Sequence, residues 1–282
     1  MTDLRGKVAV VLGASAEAGT GWAIAEALAE AGVKVVVGAR SAKPLQTLAE
    51  RIQGLAMVCD AGNEQQVEAL LHGAIEHYGR LDIAVNASGL PVMSLIADCS
   101  NDQLAAAINV NYMANVHFVK YAAREMTDGG SIVIISSLST THPVFPNFPY
   151  ACAKAATDCL VRYAAMEFGP RGIRVNSILP AGIVSDLSKV LFANPEVMKR
   201  FASEVPMGRV GYPKDFANAV LWLAGPAYVT GLNLPVCGGN QLTRFPFTRE
   251  LPGGDSAWEG AGITLFDQKI AESDSGSANT KE

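Results

Sequence analysis

Short apolar runs alternate with longer helix-like stretches along most of this chain, and that alternation restricts its fold more than any other feature. The runs are "VAVVL" (8–12), "VKVVVG" (33–38), "LAMVC" (55–59), "LDIAV" (81–85), "SIVIIS" (131–136), "IRVNSIL" (173–179) and "LNLPV" (232–236). Segments near 20–31, 42–52, 64–78, 101–127, 150–168 and 213–224 read as the intervening helices. Strands that are apolar on both faces belong inside a parallel sheet covered by helices on both sides. The expected fold is therefore α/β, a doubly wound parallel sheet whose ligands sit beyond the carboxyl ends of the strands.

A length of 282 residues suits one large domain of this kind. No linker or internal repeat interrupts the chain up to Gly239, so residues 1–240 are expected to form a single domain. Residues 241–282 change character and form a C-terminal extension: the part up to Phe247 is expected to pack back, and the end, "AESDSGSANTKE", to remain solvated and flexible. Apolar residues make up 49% and charged residues 17%, with a net charge of −5. That balance argues against nucleic acid as a partner. No apolar stretch is long enough for a signal peptide or a membrane span, which points to a cytoplasmic protein. Cys59, Cys99, Cys152, Cys159 and Cys237 are odd in number and lack C-x-x-C spacing, so they are expected to be buried, reduced thiols.

At the first strand–helix junction stands "GASAEAGTG" (13–21). Glycines there let the backbone turn tightly against a pyrophosphate, and the helix N-terminus offers free N–H groups and a positive dipole end. Gly13, Ser15, Gly19 and Gly21 are thus candidate cofactor-binding residues. The second strand ends in Ala39 and Arg40. A carboxylate at this place would hold an adenosine ribose and repel a 2′-phosphate, whereas alanine followed by arginine favours NADP(H). NAD(H) is the alternative, because Glu17 in the loop could bring a negative charge to the same phosphate.

Tyr150 and Lys154 lie four residues apart at the start of a helix, which puts phenol and ammonium on one face. The cation is expected to favour the phenolate and lower the tyrosine pKa from its usual value near 10.

Together these pieces resemble the short-chain dehydrogenase/reductase family, in its compact single-domain branch with a Rossmann fold, over residues 5–240. The resemblance rests on the glycine loop, Asp60 after the third strand, "NASG" (86–89), "VNYMAN" (110–115), "ISS" ending in Ser137, Tyr150 with Lys154, and "LPAGIVS" (179–185). It implies that Tyr150 is the general acid/base, that Lys154 lowers its pKa and holds the nicotinamide ribose, that Ser137 binds the substrate oxygen, and that Asn111 anchors a proton-relay water. It also implies cofactor contacts from Asp60, Ala61, Asn86, Ala87 and Gly89, and from Ile183 and Ser185 at the carboxamide. A homotetramer built partly through the helices at 101–127 and 150–168 is implied as well.

Departures from the family pattern are Ala87, Ala181 and Ile134, where a second Asn, a Gly and an Asn are usual. The loop itself, G-x5-G-x-G, is two residues longer than the usual form and is similar in length to that of the enoyl-acyl-carrier-protein reductases. Those enzymes place six residues between tyrosine and lysine; here there are three, which keeps the expectation on ketone and alcohol interconversion.

The substrate is expected to be a bulky, largely apolar ketone or alcohol, such as a steroid, terpenoid or aromatic ketone. The motivating residues are Val144, Phe145 and Phe148 before Tyr150, then Leu187, Val190, Leu191, Phe192, Met198 and Phe201 in the segment after the sixth strand, with His142 between Ser137 and Tyr150. Phe245 and Phe247 at the start of the tail are expected to close the same pocket from this subunit or a neighbour. The alternatives are a 3-oxoacyl-(acyl-carrier-protein) reductase and a catalytically idle nucleotide-binding sensor or scaffold. The histidines show no metal-ligand spacing, and no metal is expected.

Overall fold

The computed structural model describes residues 3–186 and 188–254. Seven parallel strands form one sheet in the order β3-β2-β1-β4-β5-β6-β7: β1 (Val8–Leu12), β2 (Lys34–Ala39), β3 (Leu55–Val58), β4 (Ile83–Asn86), β5 (Gly130–Ile135), β6 (Ile173–Pro180) and β7 (Asn233–Val236). Strand order reverses between β1 and β4. There Leu12 pairs with Gly38 on one side and with Asn86 on the other, and the carboxyl ends splay into a crevice.

The apolar inner strands bury both faces, as their composition requires, whereas the edge strands β3 and β7 are only partly covered. On one face Val8, Val10 and Leu12 pack under α3 (Glu64–Tyr78), α5 (Ala114–Glu125) and α6 (Phe148–Phe168), with Phe118 fully buried. On the other, Ala9 and Val11 pack under α1 (Thr20–Glu30), α2 (Ala42–Ile52) and α9 (Pro213–Ala224). Each large side chain so buried contributes roughly 1.5–3 kcal/mol.

The helix expected over 101–127 is divided. After α4 (Asn101–Ile108) the chain makes a π-turn at Asn109–Met113 before α5. Asn111 explains the break: its amide Nδ2 donates to the carbonyls of Ala107 (3.1 Å) and Leu90 (2.9 Å). Its own carbonyl accepts from Thr157 Oγ1 (2.7 Å) and Asn115 Nδ2 (2.9 Å). Side chains have taken over bonds that a continuous α-helix would make.

β4 starts two residues later than the apolar run. The Asp82 carboxylate is occupied in tying β4 to β1, accepting from Val8 N (2.9 Å), Lys7 Nζ (3.0 Å) and Arg80 (2.8 and 2.6 Å). Beyond β6 two short helices, α7 (Lys189–Phe192) and α8 (Pro195–Ala202), form a lid. The cysteines depart from expectation. Cys59 is buried, Cys99 and Cys237 partly so, but Cys152 and Cys159 are exposed because they lie on the outward face of α6.

Candidate active site

The glycine loop closes on itself at the end of β1. A Cβ on Gly13, whose φ is +89°, would lie 2.5 Å from Ser88 N, and one on Gly21 would lie 2.3 Å from Gly13 O. Both positions demand glycine because backbone stands where a side chain would be. Gly19 is the N-cap of α1, and no side chain caps it, so the first-turn N–H groups face the crevice unclaimed by a capping group. A backbone cradle without side chains at the foot of an uncapped helix fits a dinucleotide pyrophosphate. The loop's extra length runs outward, with Glu17 and Ala18 exposed and Ala18 N donating to Asp186 Oδ2 at 3.3 Å. Ser15 is partly buried within the loop.

The remaining residues singled out for the cofactor stand at or just beyond the carboxyl ends of β2, β3 and β4. Arg40 is exposed at the end of β2 beside the buried Ala39. Asp60 Oδ1 accepts from Gly62 N at 2.9 Å, in an Asx turn that also orders the buried Ala61. Asn86 is fully buried: it donates to Asn115 Oδ1 (2.8 Å) and accepts from Ser88 N (2.9 Å) and Ser88 Oγ (2.6 Å). It therefore braces the Ala87–Gly89 turn, with its own polar atoms turned inward.

Tyr150 and Lys154 project from one face of α6. The Lys154 ammonium, 2% exposed, donates to Ile135 O (2.8 Å) and Ser88 O (3.5 Å) and stands 5.8 Å from the centre of the Tyr150 ring. Burial pulls Lys154 down to about 8. Burial also pushes Tyr150 up to about 12, against the pull of the Ser137 hydroxyl and with the Asp158 charge pushing the same way. The expected lowering of the tyrosine by its lysine is thus reversed, because desolvation of the phenolate outweighs a cation already committed to two carbonyls. Ser137, at the end of β5, is held by Ser139, whose Oγ lies 2.8 Å from the Ser137 Oγ.

Asn111 is fully buried and spends its side chain on the Leu90 peptide, accepting from Leu90 N (3.1 Å) and donating to Leu90 O. A Cβ on Gly89 would lie 3.5 Å from Asn111 Oδ1 and 3.7 Å from Lys154 Nζ, so Gly89 holds open the space between amide and ammonium.

A cavity of about 230 Å³ opens at Tyr150 and Ser137. Val92, Met93, Val144, Leu191, Phe192, Phe201 and Phe245 supply its apolar wall, and Ile183, Ser185 and Ser188 also line it. Leu191 is where the sequence places it, and Leu187 lies outside the described residues. Phe145 and Phe148 do not line this cavity. They face a second one of about 340 Å³ together with Leu95, Ile96 and Cys152. On a helix, two residues correspond to about 200°, so Phe148 points away from Tyr150. His142 lines neither cavity; its Nε2 bonds to Gln241 O (2.9 Å) and its Nδ1 to Thr141 Oγ1 (2.9 Å).

Asp158 was missed by the sequence reading. It lies one turn beyond Lys154 on the same face, 7% exposed, with Oδ1 buried and unpartnered. Burial pushes its carboxyl up, against the hydroxyls of Ser136 and Thr140 and the charges of Lys154 and Arg162. The signal was available in the i, i+4, i+8 spacing of Tyr150, Lys154 and Asp158. Among the described residues no group of three or more His, Cys, Asp or Glu could hold a metal, and no helix is long and apolar enough to cross a membrane.

The family model described as "Enoyl-(Acyl carrier protein) reductase" matches residues 13–241. A 7alpha-hydroxysteroid dehydrogenase of Escherichia coli (strain K12) is 36% identical over 249 residues, covering 84% of this chain and 94% of that protein. The 3-oxoacyl-(acyl-carrier-protein) reductase FabG of Vibrio cholerae is 34% identical over 243 residues, covering 84% and 98%. Among solved structures, a short-chain type dehydrogenase/reductase from Mycobacterium ulcerans superposes with a TM-score of 0.84 at 27% identity, covering 91% of this chain and 98% of that one. An uncapped glycine cradle, a half-buried tyrosine beside a buried lysine and this extent of likeness lead to one assignment: the chain belongs to the short-chain dehydrogenase/reductase family of nicotinamide-dependent oxidoreductases.

Proposed function

We propose that the protein interconverts a ketone and a secondary alcohol on a bulky, mostly apolar substrate, with NADP(H) preferred over NAD(H). The observation that carries this reading is the apolar cavity closing over Tyr150 and Ser137. Such walls favour ligands that lose little on leaving water. The hydroxysteroid dehydrogenase activity in the name of the Escherichia coli relative supports a fused-ring substrate. Arg40, exposed beside Ala39, supports the 2′-phosphate.

A nicotinamide cofactor bound in the crevice supplies or accepts the hydride at carbon. Ser137 Oγ donates a hydrogen bond to the substrate oxygen, and the Tyr150 hydroxyl transfers the proton to that oxygen in reduction and takes it back in oxidation. Lys154 holds the ribose hydroxyls, and its positive charge opposes the rise that burial imposes on the phenol. Asn111 positions the Gly89–Leu90 backbone and keeps room beside the ammonium for a relay water. Residues 1–240 form the catalytic domain and 241–282 an extension. The working assembly is a homotetramer in the cytoplasm, and α6 contributes to its interface through the exposed Cys152, Cys159, Tyr163 (73%) and Met166 (83%).

The relative FabG favours a second reading, a 3-oxoacyl-(acyl-carrier-protein) reductase. A panel of one-ring and fused-ring ketones and a 3-oxoacyl thioester, each offered with NADPH and NADH, tests both. Fastest turnover of the thioester selects the second reading, and no turnover of any carbonyl removes both in favour of an idle nucleotide-binding sensor.

A further inference from the structure

The cavity at Tyr150 is small. About 230 Å³ lies below the roughly 300–1,000 Å³ of most ligand pockets, so a fused-ring substrate requires the wall to give. What limits that wall is the segment following β7, which the catalytic constellation does not use.

Three sets of contacts bind this segment to the lid and to the catalytic loop. First, Phe245 (8% exposed) and Leu251 (4%) are buried in one cluster with Leu191, Phe192 and Phe201 of α7 and α8, and Phe245 reaches the cavity itself. Second, Arg200 of α8 and Glu204 in the turn that follows it form an alternating ion network with Arg244 and Glu250. The Glu250 carboxylate accepts from Arg200 Nη2 (2.7 Å) and from Arg244 Nη1 and Nη2 (2.8 and 2.9 Å), and Arg200 Nη2 also donates to Glu204 (2.7 Å). Third, the buried Asn240 amide donates to Glu204 O (3.2 Å) and Arg244 O (3.0 Å), Thr243 Oγ1 donates to Glu204 O, and His142 Nε2 meets Gln241 O.

We propose that Asn240–Gly254 is a clasp that holds α7 and α8 closed over the cavity, and that Phe245 is a specificity-determining residue setting the largest ring system admitted. The proposal deepens the ketone reading above and rests on the cavity at Tyr150 being the substrate site. One apolar side chain from the extension forms the far wall, and the ion network keeps that wall and the lid in register. Networks of several charges with paired geometry hold position better than isolated surface pairs, whose worth is close to nothing. The clasp also survives acidification, since Arg244 foremost, with the Phe247 N–H and Arg200, holds the Glu250 carboxyl down at about 2.

The test has two arms on the full-length protein. In the first, hydrogen exchange of the amides in 189–205 is followed without any substrate, in wild type and in Glu250→Gln and Arg244→Gln. The expected result is exchange at least fivefold faster in α7 and α8 with β1 and β4 unchanged; unaltered exchange overturns the clasp. In the second, Phe245→Leu and Phe245→Ala are compared by kcat/KM for a three-ring and a one-ring ketone. The ratio is expected to rise progressively, by tenfold or more for alanine, and a constant ratio in a folded variant overturns the specificity role. Wild-type protein that turns over neither ketone removes the ketone reading and the specificity role, and the exchange arm still decides the clasp.

Discussion

Lys154 holds its ammonium 5.8 Å from the centre of the Tyr150 ring while donating to the carbonyls of Ile135 and Ser88. The lysine is thereby fixed by backbone from β5 and from the turn after β4, and the tyrosine is what the chemistry has free to move a proton. Tyr150→Phe should leave cofactor affinity within about twofold and cut turnover by a factor of order 10² or more. Lys154→Ala should reduce both, read by cofactor titration beside single-turnover rates. A phenylalanine variant retaining a tenth of wild-type turnover in a chemistry-limited step would show that the proton comes from elsewhere.

Asp158 faces this pair from one turn further along α6, and its negative charge pushes both the phenol and the ammonium up. Asp158→Asn removes that charge at almost constant shape. Alcohol oxidation needs the phenolate, so the acid limb of kcat/KM against pH should move to lower pH. A shift upward, or none, would mean the carboxylate is neutral or screened in the working enzyme.

The Asp82 carboxyl is pushed up by burial, yet Arg80, the Val8 N–H and Lys7 together hold it below its ordinary range. A depressed folded pKa gives stability that is present above the unfolded value near 3.9 and lost as pH falls through the folded one. Asp82→Asn should lower unfolding free energy at pH 7 by roughly 1–3 kcal/mol, since it leaves the buried Val8 N–H poorly matched and removes the partner of the solvated Lys7 and Arg80. The variant should also lose less stability than wild type between pH 4 and pH 2 in urea titrations.

Arg40 is exposed, so Arg40→Ala should cost no fold. With the guanidinium gone, kcat/KM for NADPH is expected to drop about tenfold and for NADH to change little. Equal losses with both cofactors would place Arg40 away from the 2′-phosphate.

Cys152 and Cys159 are exposed on α6, whereas burial pushes the Cys59 thiol up to about 12. If α6 forms the proposed interface, Met166→Glu should lower the mass seen by light scattering and speed alkylation of Cys152 and Cys159, with Cys59 silent until unfolding. A wild-type monomer with both thiols labelled at full rate would dismiss the interface.

The alternation of apolar runs and helices was legible because a strand buried on both faces leaves no other reading, and the seven runs became the seven strands of one parallel sheet. Asn111 shows where such reading stops. Its neighbours in sequence fit a helix, and only contacts to Leu90 and Thr157, far along the chain, reveal why the helix opens there. Phe148 illustrates a different limit: proximity in sequence to Tyr150 says nothing of the roughly 200° that separates residues i and i+2 on a helix. Phe245 was expected at this pocket with Phe247, and Phe245 alone of the two lines the cavity; the Arg200–Glu250 pairing beside it is what no local pattern encodes. The tyrosine's raised pKa was equally invisible, since desolvation depends on everything packed around it.

Because strand order reverses between β1 and β4, the crevice draws its walls from Gly13 through Ser185, and no fragment of the chain possesses it. A nicotinamide dinucleotide therefore has affinity for the native state alone. By mass action, ligand at one hundred times Kd adds about 2.7 kcal/mol to the unfolding free energy. That gain reaches helices distant from the crevice, such as α3, as fully as it reaches the glycine loop, so unfolding curves recorded with and without cofactor measure how far the whole sheet melts as one unit.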